Sequence, residues 1–438
     1  MISVKGNHGR ATQKARTKQA QTYMITIFLI AVMTLFLLGI LGGTEVTKKP
    51  FSSSKKKSSL ILASKPISTK NKSNIDPILK AEVHLINIHV SKLVTKKSSP
   101  TYYDGIEAEF CVIDWNLYNN DPWKNPLFRD LVSKSEGCKN ARIVLNLKDL
   151  IEEVRRYDQR SSSKSTIKSL DPNFIFHESH CGSTLLANAL AYSKPQEHRV
   201  YSESGPPISA LRICGENLEY CTAETAETVF RDVVYLMSRV PSNSDESHLF
   251  FKMQSSATSS IQVLQNSFPK APWVFVYRDP EEVMVSQLNI RHMDRAKCVQ
   301  SKTHPPHRVR DFLDLTRRNV KDLSNEEYCA LYLSSICNNA LDAIQMNGIS
   351  GKLLNYENLI EDFITDILPN EFGVNLDNEG VKRIEYASTM KSKSRDGGMT
   401  WVEDSAQKHD LATDAMHKAS TDYLAFSYIQ LEDARKNE

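Results

Sequence analysis

Short runs rich in β-branched and aromatic residues recur through the middle of the chain, at Asn173–Phe176, Arg199–Ser202, Leu249–Lys252 and Trp273–Tyr277. Between them, apolar residues repeat at helical spacing over Ser183–Ala191, Ala223–Val240, Ala257–Phe268 and Pro280–His292. Strands alternating with helices predict an α/β domain built on a mainly parallel sheet. After His292 the pattern turns mostly helical, with a long helix predicted over Glu326–Met346 and one more strand over Lys352–Tyr356. A further helix is expected around Asp149–Arg156. In open sheets of this kind ligands sit at the carboxyl ends of the strands, which directs attention to Phe176–Gly182.

Hydropathy and charge organise the rest. Residues 1–22 hold five Lys/Arg and no acid, and Tyr23–Gly43 follows without a single charge. At 1.5 Å per residue that run spans a hydrocarbon core of about 30 Å. A cleaved signal peptide is the rival reading, but its apolar core usually runs about 7–15 residues. The basic flank predicts a cytoplasmic N-terminus and a lumenal bulk, hence a type II signal anchor, although Lys48, Lys49 and Lys55–Lys57 weigh against that orientation. Residues 44–100 are Ser/Lys-rich with one apolar island at Val83–Leu93 and read as a tether, or stem. Residues 101–170 read as a lead-in segment and 171–438 as the main domain. The net charge of +3 gives no reason to expect a nucleic-acid partner.

Eight cysteines fit an oxidising compartment. Cys214 and Cys221 close a small loop and are expected to pair, whereas Cys329 and Cys337 lie on the predicted long helix and are expected to pack in a core. Asn71-Lys72-Ser73 is the lone glycosylation sequon, in the stem. No cysteine pair has zinc-ligand spacing, and no metal is predicted.

The stretch FIFHESHCGSTLLANAL, residues 174–190, places a Gly-Ser-Thr turn between a strand and a helix. Gly182 allows close backbone approach, and Ser183 and Thr184 open a helix whose free N–H groups attract anions. An ordinary strand-to-helix turn with Ser/Thr capping has the same appearance. A second segment, WVFVYRDPEEVMVSQL (273–288), ends a buried strand at Arg278 and begins a helix at Pro280, with Ser286 eight residues beyond the arginine. Arginine offers a planar fork suited to phosphate; pairing with Asp279 or another acid is the alternative.

This combination resembles the sulfotransferase superfamily, in a divergent branch with Cys-Gly-Ser-Thr in the loop that holds the 5′-phosphosulfate. Val200–Pro207 and Leu249–Ala257 resemble the strand ends that follow that loop, and the resemblance covers about residues 172–430. It implies an α/β fold of the P-loop NTPase-like type, with a mainly parallel central sheet flanked by helices, preceded here by the transmembrane helix. It also implies a membrane-anchored, Golgi-type layout in which a sulfuryl group moves from 3′-phosphoadenosine 5′-phosphosulfate (PAPS) to a hydroxyl acceptor such as a carbohydrate, without a metal. The cofactor residues implied are His180, Cys181, Gly182, Ser183, Thr184, Leu185, Arg278 and Ser286, with Lys393, Arg395 and Lys408 in a basic segment closing over the nucleotide.

The family commonly has lysine where this chain has His180. A protonated histidine would supply similar charge, in an acidic lumen above all, while a neutral hydrogen-bonding role is the alternative. Lys252 is another candidate to reach the phosphosulfate. Glu203 is the first choice for the base that takes the acceptor's proton, with His177 and Glu178 as rivals; Glu203 as a stabilising charge before a helix is the plainer reading. A kinase lacks support because the Walker lysine and a magnesium motif are missing, and a catalytically silent nucleotide-binding relative stays open. Acceptor identity and oligomeric state are not written in the sequence.

Overall fold

The computed structural model describes residues 72–160, 166–214, 220–288, 293, 296–347, 351–394, 400–402 and 404–437. The expected anchor at 23–43, the basic tail, most of the tether, Asn71 of the sequon and Arg395 lie outside these residues. Among the described residues no helix is long and apolar enough to cross a membrane.

The chain enters its fold earlier than the Ser/Lys composition of residues 44–100 implies. Helix α1 (Lys72–Leu79) buries Ile75, Ile78 and Leu79, and β1 (His84–Lys96) pairs antiparallel with β2 (Ser99–Cys111), which pairs with β3 (Ile143–Asn146). The apolar island is therefore a strand: Leu85, Ile86 and Ile88 are buried, and charged flanks had masked them in a composition-based reading. Helix α2 (Leu147–Arg160) lies beside this sheet, extending the predicted 149–156 at both ends.

A two-stranded antiparallel ribbon, β4 (Ile167–Ser169) with β7 (Arg239–Pro241), links this layer to the rest. Arg239 donates to the carbonyls of Ile78 at 2.7 Å and Leu79 at 2.6 Å, closing the open end of α1, and its Nε donates to Asp158 at 2.8 Å. Such a fork satisfies terminal helix carbonyls that have no partner within the helix.

The main sheet is five-stranded and parallel, in the order β10-β9-β5-β8-β6: β5 is Pro172–His177, β6 His198–Ser202, β8 His248–Lys252, β9 Trp273–Tyr277 and β10 Gly351–Asn355. Every residue of β5, β6 and β9 is buried, which is why β9 and the centre of β5 read as apolar runs rather than alternating ones, while β6 buries His198 and Arg199 as well. Helices α3 (Ser183–Ser193), α4 (Ala223–Ser238), α5 (Pro280–Leu288), α6 (Asn325–Asn347) and α7 (Asn378–Ser388) flank it. Thr222 caps α4 reciprocally with Thr225, and α4 packs on β1 and β2, where Asp232 receives Tyr103 and Arg155, each at 2.6 Å. After α7, residues 400–402 and 404 form a strap ahead of α8 (Ser405–Leu411), and α9 (Ala425–Arg435) follows.

From β5 the chain moves outward to β6 on one side of the sheet, and from β9 it moves outward to β10 on the other. The crevice between the carboxyl ends of β5 and β9 is thus a topological switch point, the usual ligand position in such sheets.

Three disulfides are present: Cys111–Cys138, Cys214–Cys221 as expected, and Cys298–Cys329. The last corrects the expectation for Cys329, which reaches out of α6 to a short helix at Lys297–Gln300; Cys337, two turns further along α6, remains a buried thiol.

Candidate functional site

The turn after β5 is held in a conformation that side chains avoid. Ser179, His180 and Gly182 have φ of 119°, 51° and 88°, and non-glycine residues in that region cost of order 1–3 kcal/mol each. A Cβ on Gly182 would lie 2.7 Å from both the Tyr356 ring and Leu359, so this position needs glycine for space as well as for φ. Gln287 fixes Ser179 through a 2.8 Å hydrogen bond. The turn delivers the chain into α3, whose N-terminus has no side-chain cap, leaving its first-turn N–H groups for a ligand. Ser183 and Thr184 are buried in that first turn.

The neighbouring strand ends bring charge to this turn. Lys252, last residue of β8 and 1% exposed, forms an ion pair with Glu203 and lies 3.4 Å from the Thr184 hydroxyl. Glu203, just past β6, has φ of 52° and donates its backbone N–H to the Lys252 carbonyl at 2.7 Å. Burial works against a charged Glu203, but Lys252 outweighs it and holds the carboxyl well below its usual range. The acid is thus enclosed and paired, not an exposed charge ahead of a helix. His177 is 5% exposed and its Nε2 donates to the Met253 carbonyl at 3.0 Å, so its Nδ1, which has no protein partner, carries the lone pair. Burial and Lys252 lower its pKa far enough to keep the ring neutral.

His180 is exposed on the turn, within the field of Lys393, Lys297, Lys408 and Lys252. Desolvation by the surrounding protein and these four positive charges lower its pKa, so the turn's cation is not His180. Of the two roles open to His180, this environment favours the neutral hydrogen-bonding one. The Cys181 thiol donates to the Val276 carbonyl at 3.1 Å, and burial pushes its pKa up to about 11, so a cofactor role for this residue falls to its backbone. Glu178 turns inward, accepting from the backbone N–H of Arg278 at 3.2 Å, and burial pushes its carboxyl up to about 8. It is unsuited to take a proton from an acceptor at the surface.

On the other side of the crevice, a cavity of about 600 Å³ is lined by Leu185, Arg278, Tyr356, Trp401 and Ser405 among others. Arg278 is buried, its guanidinium lies 3.8 Å from the Tyr356 ring centre, and it forms ion pairs with Glu282 and, at 3.2 Å, with Asp404. The acid-paired alternative for Arg278 is therefore what the structure contains. Ser286 is half-buried on α5, and Lys408 pairs with Asp404 at 2.9 Å. Lys393 is exposed in a segment tied to α3 by the Asn188 amide, which donates to the Ser392 carbonyl at 2.9 Å, and its charge reaches His177, His180 and Glu203. The sequence reading missed Glu282, Asp404 and Lys297. Only Glu282 left a signal, since an acid four residues after Arg278 is placed to meet it.

No family model matches the chain, and no curated protein matches it in sequence. The solved structures it is similar to are sulfotransferases. The sulfotransferase domain of the curacin biosynthetic pathway is 12% identical, with a TM-score of 0.31 over 58% of this chain and 97% of that one. Sulfotransferase STF1 of Mycobacterium tuberculosis H37Rv is 15% identical, with a TM-score of 0.30 over 54% and 76%. The sulfotransferase domain of the Synechococcus PCC 7002 olefin synthase is 16% identical, with a TM-score of 0.28 over 61% and 95%. Likeness at this level assigns neither a substrate nor a site residue to this chain.

Proposed function

We propose that this chain is a sulfotransferase that moves the sulfuryl group of PAPS to a hydroxyl acceptor. The observation that carries the reading is the meeting of Lys252, Glu203 and Thr184 at the mouth of an uncapped, glycine-entered helix. A buried cation beside free helix N–H groups suits the phosphosulfate end of such a donor. The cavity bounded by Leu185, Tyr356 and Trp401 suits its nucleoside, with Arg278 and Ser286 at the 3′-phosphate.

The donor supplies an activated sulfuryl group when bound. Glu203, ionised at neutral pH, takes the acceptor's hydroxyl proton as the new S–O bond forms. Lys252 and the first-turn N–H groups of α3 stabilise the negative charge that appears on the leaving phosphate oxygen as its S–O bond breaks. Lys252 neutralises Glu203 beforehand, so the base is fully released only when the lysine turns toward an anion.

Further out, the enzyme is proposed as a single-pass type II protein held by residues 23–43, with its domain in the lumen of the Golgi and a glycan on Asn71. The three disulfides support an oxidising compartment. One observation counts against a 3′-phosphate at Arg278: its guanidinium already carries two acids. Titration of the full-length chain in detergent with adenosine 3′,5′-bisphosphate, ADP and ATP tests the donor class. Preference for the 3′,5′-bisphosphate, weakened in Lys252→Met, is expected; equal or tighter ADP or ATP binding refutes it. Turnover of PAPS with a panel of hydroxyl acceptors, lost in Glu203→Gln, separates enzyme from binder.

A further inference from the structure

The strap between α7 and α8 brings its own anion to cations that the proposed function gives to the nucleotide. One carboxylate oxygen of Asp404 is 3.2 Å from the Arg278 guanidinium and 2.9 Å from the Lys408 ammonium. The next residue, Ser405, places its hydroxyl 3.4 Å from the same guanidinium and 3.1 Å from Glu282. The contact borders the cavity: Ser405 lines it, and so does Trp401, four residues before Ser405 on the strap.

The strap is fastened on either side of this contact. Thr400 bridges to Met390 and the Trp401 N–H donates to the Thr389 carbonyl at 2.8 Å, while His409 meets Glu281 on α5 at 3.0 Å. Between these points Asp404 is held chiefly by charge, and its side chain is 38% exposed, so water and salt reach it. Glu282, by contrast, is 9% exposed in the same side-chain measure and sits on the helix beside Arg278, fixed in place.

We propose that Asp404 is a built-in competitor: its carboxylate holds Arg278 and Lys408 where a phosphate group would sit, and a bound phosphate group displaces it and releases the strap. This inference rests on the reading that Arg278 and Lys408 face an anionic part of the ligand. A dianionic phosphate presents more acceptor atoms and more charge than one carboxylate, so it wins the two cations once its concentration is sufficient. The strap then reports occupancy of the cavity, and its release exposes Lys408 for the ligand.

Two measurements on the full-length chain in detergent test it. The first compares adenosine 3′,5′-bisphosphate affinity in the wild type and in Asp404→Asn, which keeps size and removes charge. Asp404→Asn is expected to bind about two- to fivefold more tightly, the range for removing one partly exposed ion pair. Unchanged or weaker binding overturns the inference. The second follows amide hydrogen exchange over residues 404–411 against inorganic phosphate, with no nucleotide present. Exchange is expected to rise with phosphate in the wild type and to start high and stay flat in Asp404→Asn and in Arg278→Ala. A strap that ignores phosphate while the bisphosphate binds tightly defeats the competitor and leaves the enzyme reading intact. A strap released by phosphate in a protein that prefers ATP defeats the enzyme reading and leaves the competitor.

Discussion

Breaking the Lys252–Glu203 pair from either side has calculable and opposite consequences. Lys252 is 1% exposed and the Glu203 side chain 8%, so each single substitution strands a buried charge. Glu203→Gln leaves an ammonium whose cost is bounded by that of deprotonating an ordinary lysine, about 4.6 kcal/mol at pH 7. Lys252→Met leaves a carboxylate, bounded by protonating an ordinary glutamate, about 3.5 kcal/mol at pH 7. Both bounds sit in or near the range of about 3–5 kcal/mol for breaking buried pairs.

The signs separate the two variants. The ammonium is easier to neutralise as pH rises, so the Glu203→Gln penalty shrinks by up to about 1.4 kcal/mol per pH unit. The carboxylate is harder to neutralise, so the Lys252→Met penalty grows at the same rate. In the wild type, Glu203's depressed pKa keeps the pair's contribution in place above the ordinary carboxylate range, and it is lost only as pH falls through the folded-state value. The double variant Lys252→Met/Glu203→Gln removes both charges and is expected within about 1 kcal/mol of the wild type. Urea unfolding of the four proteins at pH 6 and pH 8 measures all of this. Additive losses with no pH slope would refute the claim that the two charges hold each other.

Two further outcomes follow from the same turn. Gly182→Ala adds a Cβ at 2.7 Å from Tyr356 and Leu359 and forces φ of 88° on an alanine, so a loss of about 1–3 kcal/mol and of bisphosphate binding is expected in thermal melts and titrations. Glu178 ionises near 4.5 when unfolded but only at about 8 when folded, so native stability falls as pH rises between those values and levels off above them. The cost at pH 7 is about 3 kcal/mol, and Glu178→Gln, measured by denaturant unfolding at pH 5 and pH 8, is expected to flatten that slope.

The central sheet was legible because it is buried on both faces: β5, β8 and β9 carry short apolar blocks, β6 a Val-Tyr pair between polar residues, and Trp273–Tyr277 was delimited to the residue. The strand-end positions of Glu203 and Lys252 were legible with it, since a parallel sheet gathers its carboxyl ends on one edge. Their pairing was not, because 49 residues separate them and only the neighbouring of β6 and β8 closes the distance. The surroundings of His180 were equally hidden, since desolvation by the folded protein acts on it first and lysines from four separate segments add to it. The failure at Asp404 has the same origin: its contact with Arg278 spans 126 residues and leaves no local pattern. At β1 the failure was different in kind, since a strand with lysine-rich flanks was taken for a tether on composition alone.

The fork of Arg239 across the end of α1 has a practical consequence for anyone dividing this protein. A fragment opened at residue 100, where the Ser/Lys-rich stretch ends, would discard α1 and β1 together. Arg239, 2% exposed in its side chain, would lose the two carbonyls it serves and keep only Asp158. Ile106, Ala108 and Phe110 of β2, all buried, would lose the strand that pairs with them. The smallest self-consistent fragment therefore starts at or before Lys72, and solubility trials that begin later would be sampling a damaged protein rather than an isolated domain.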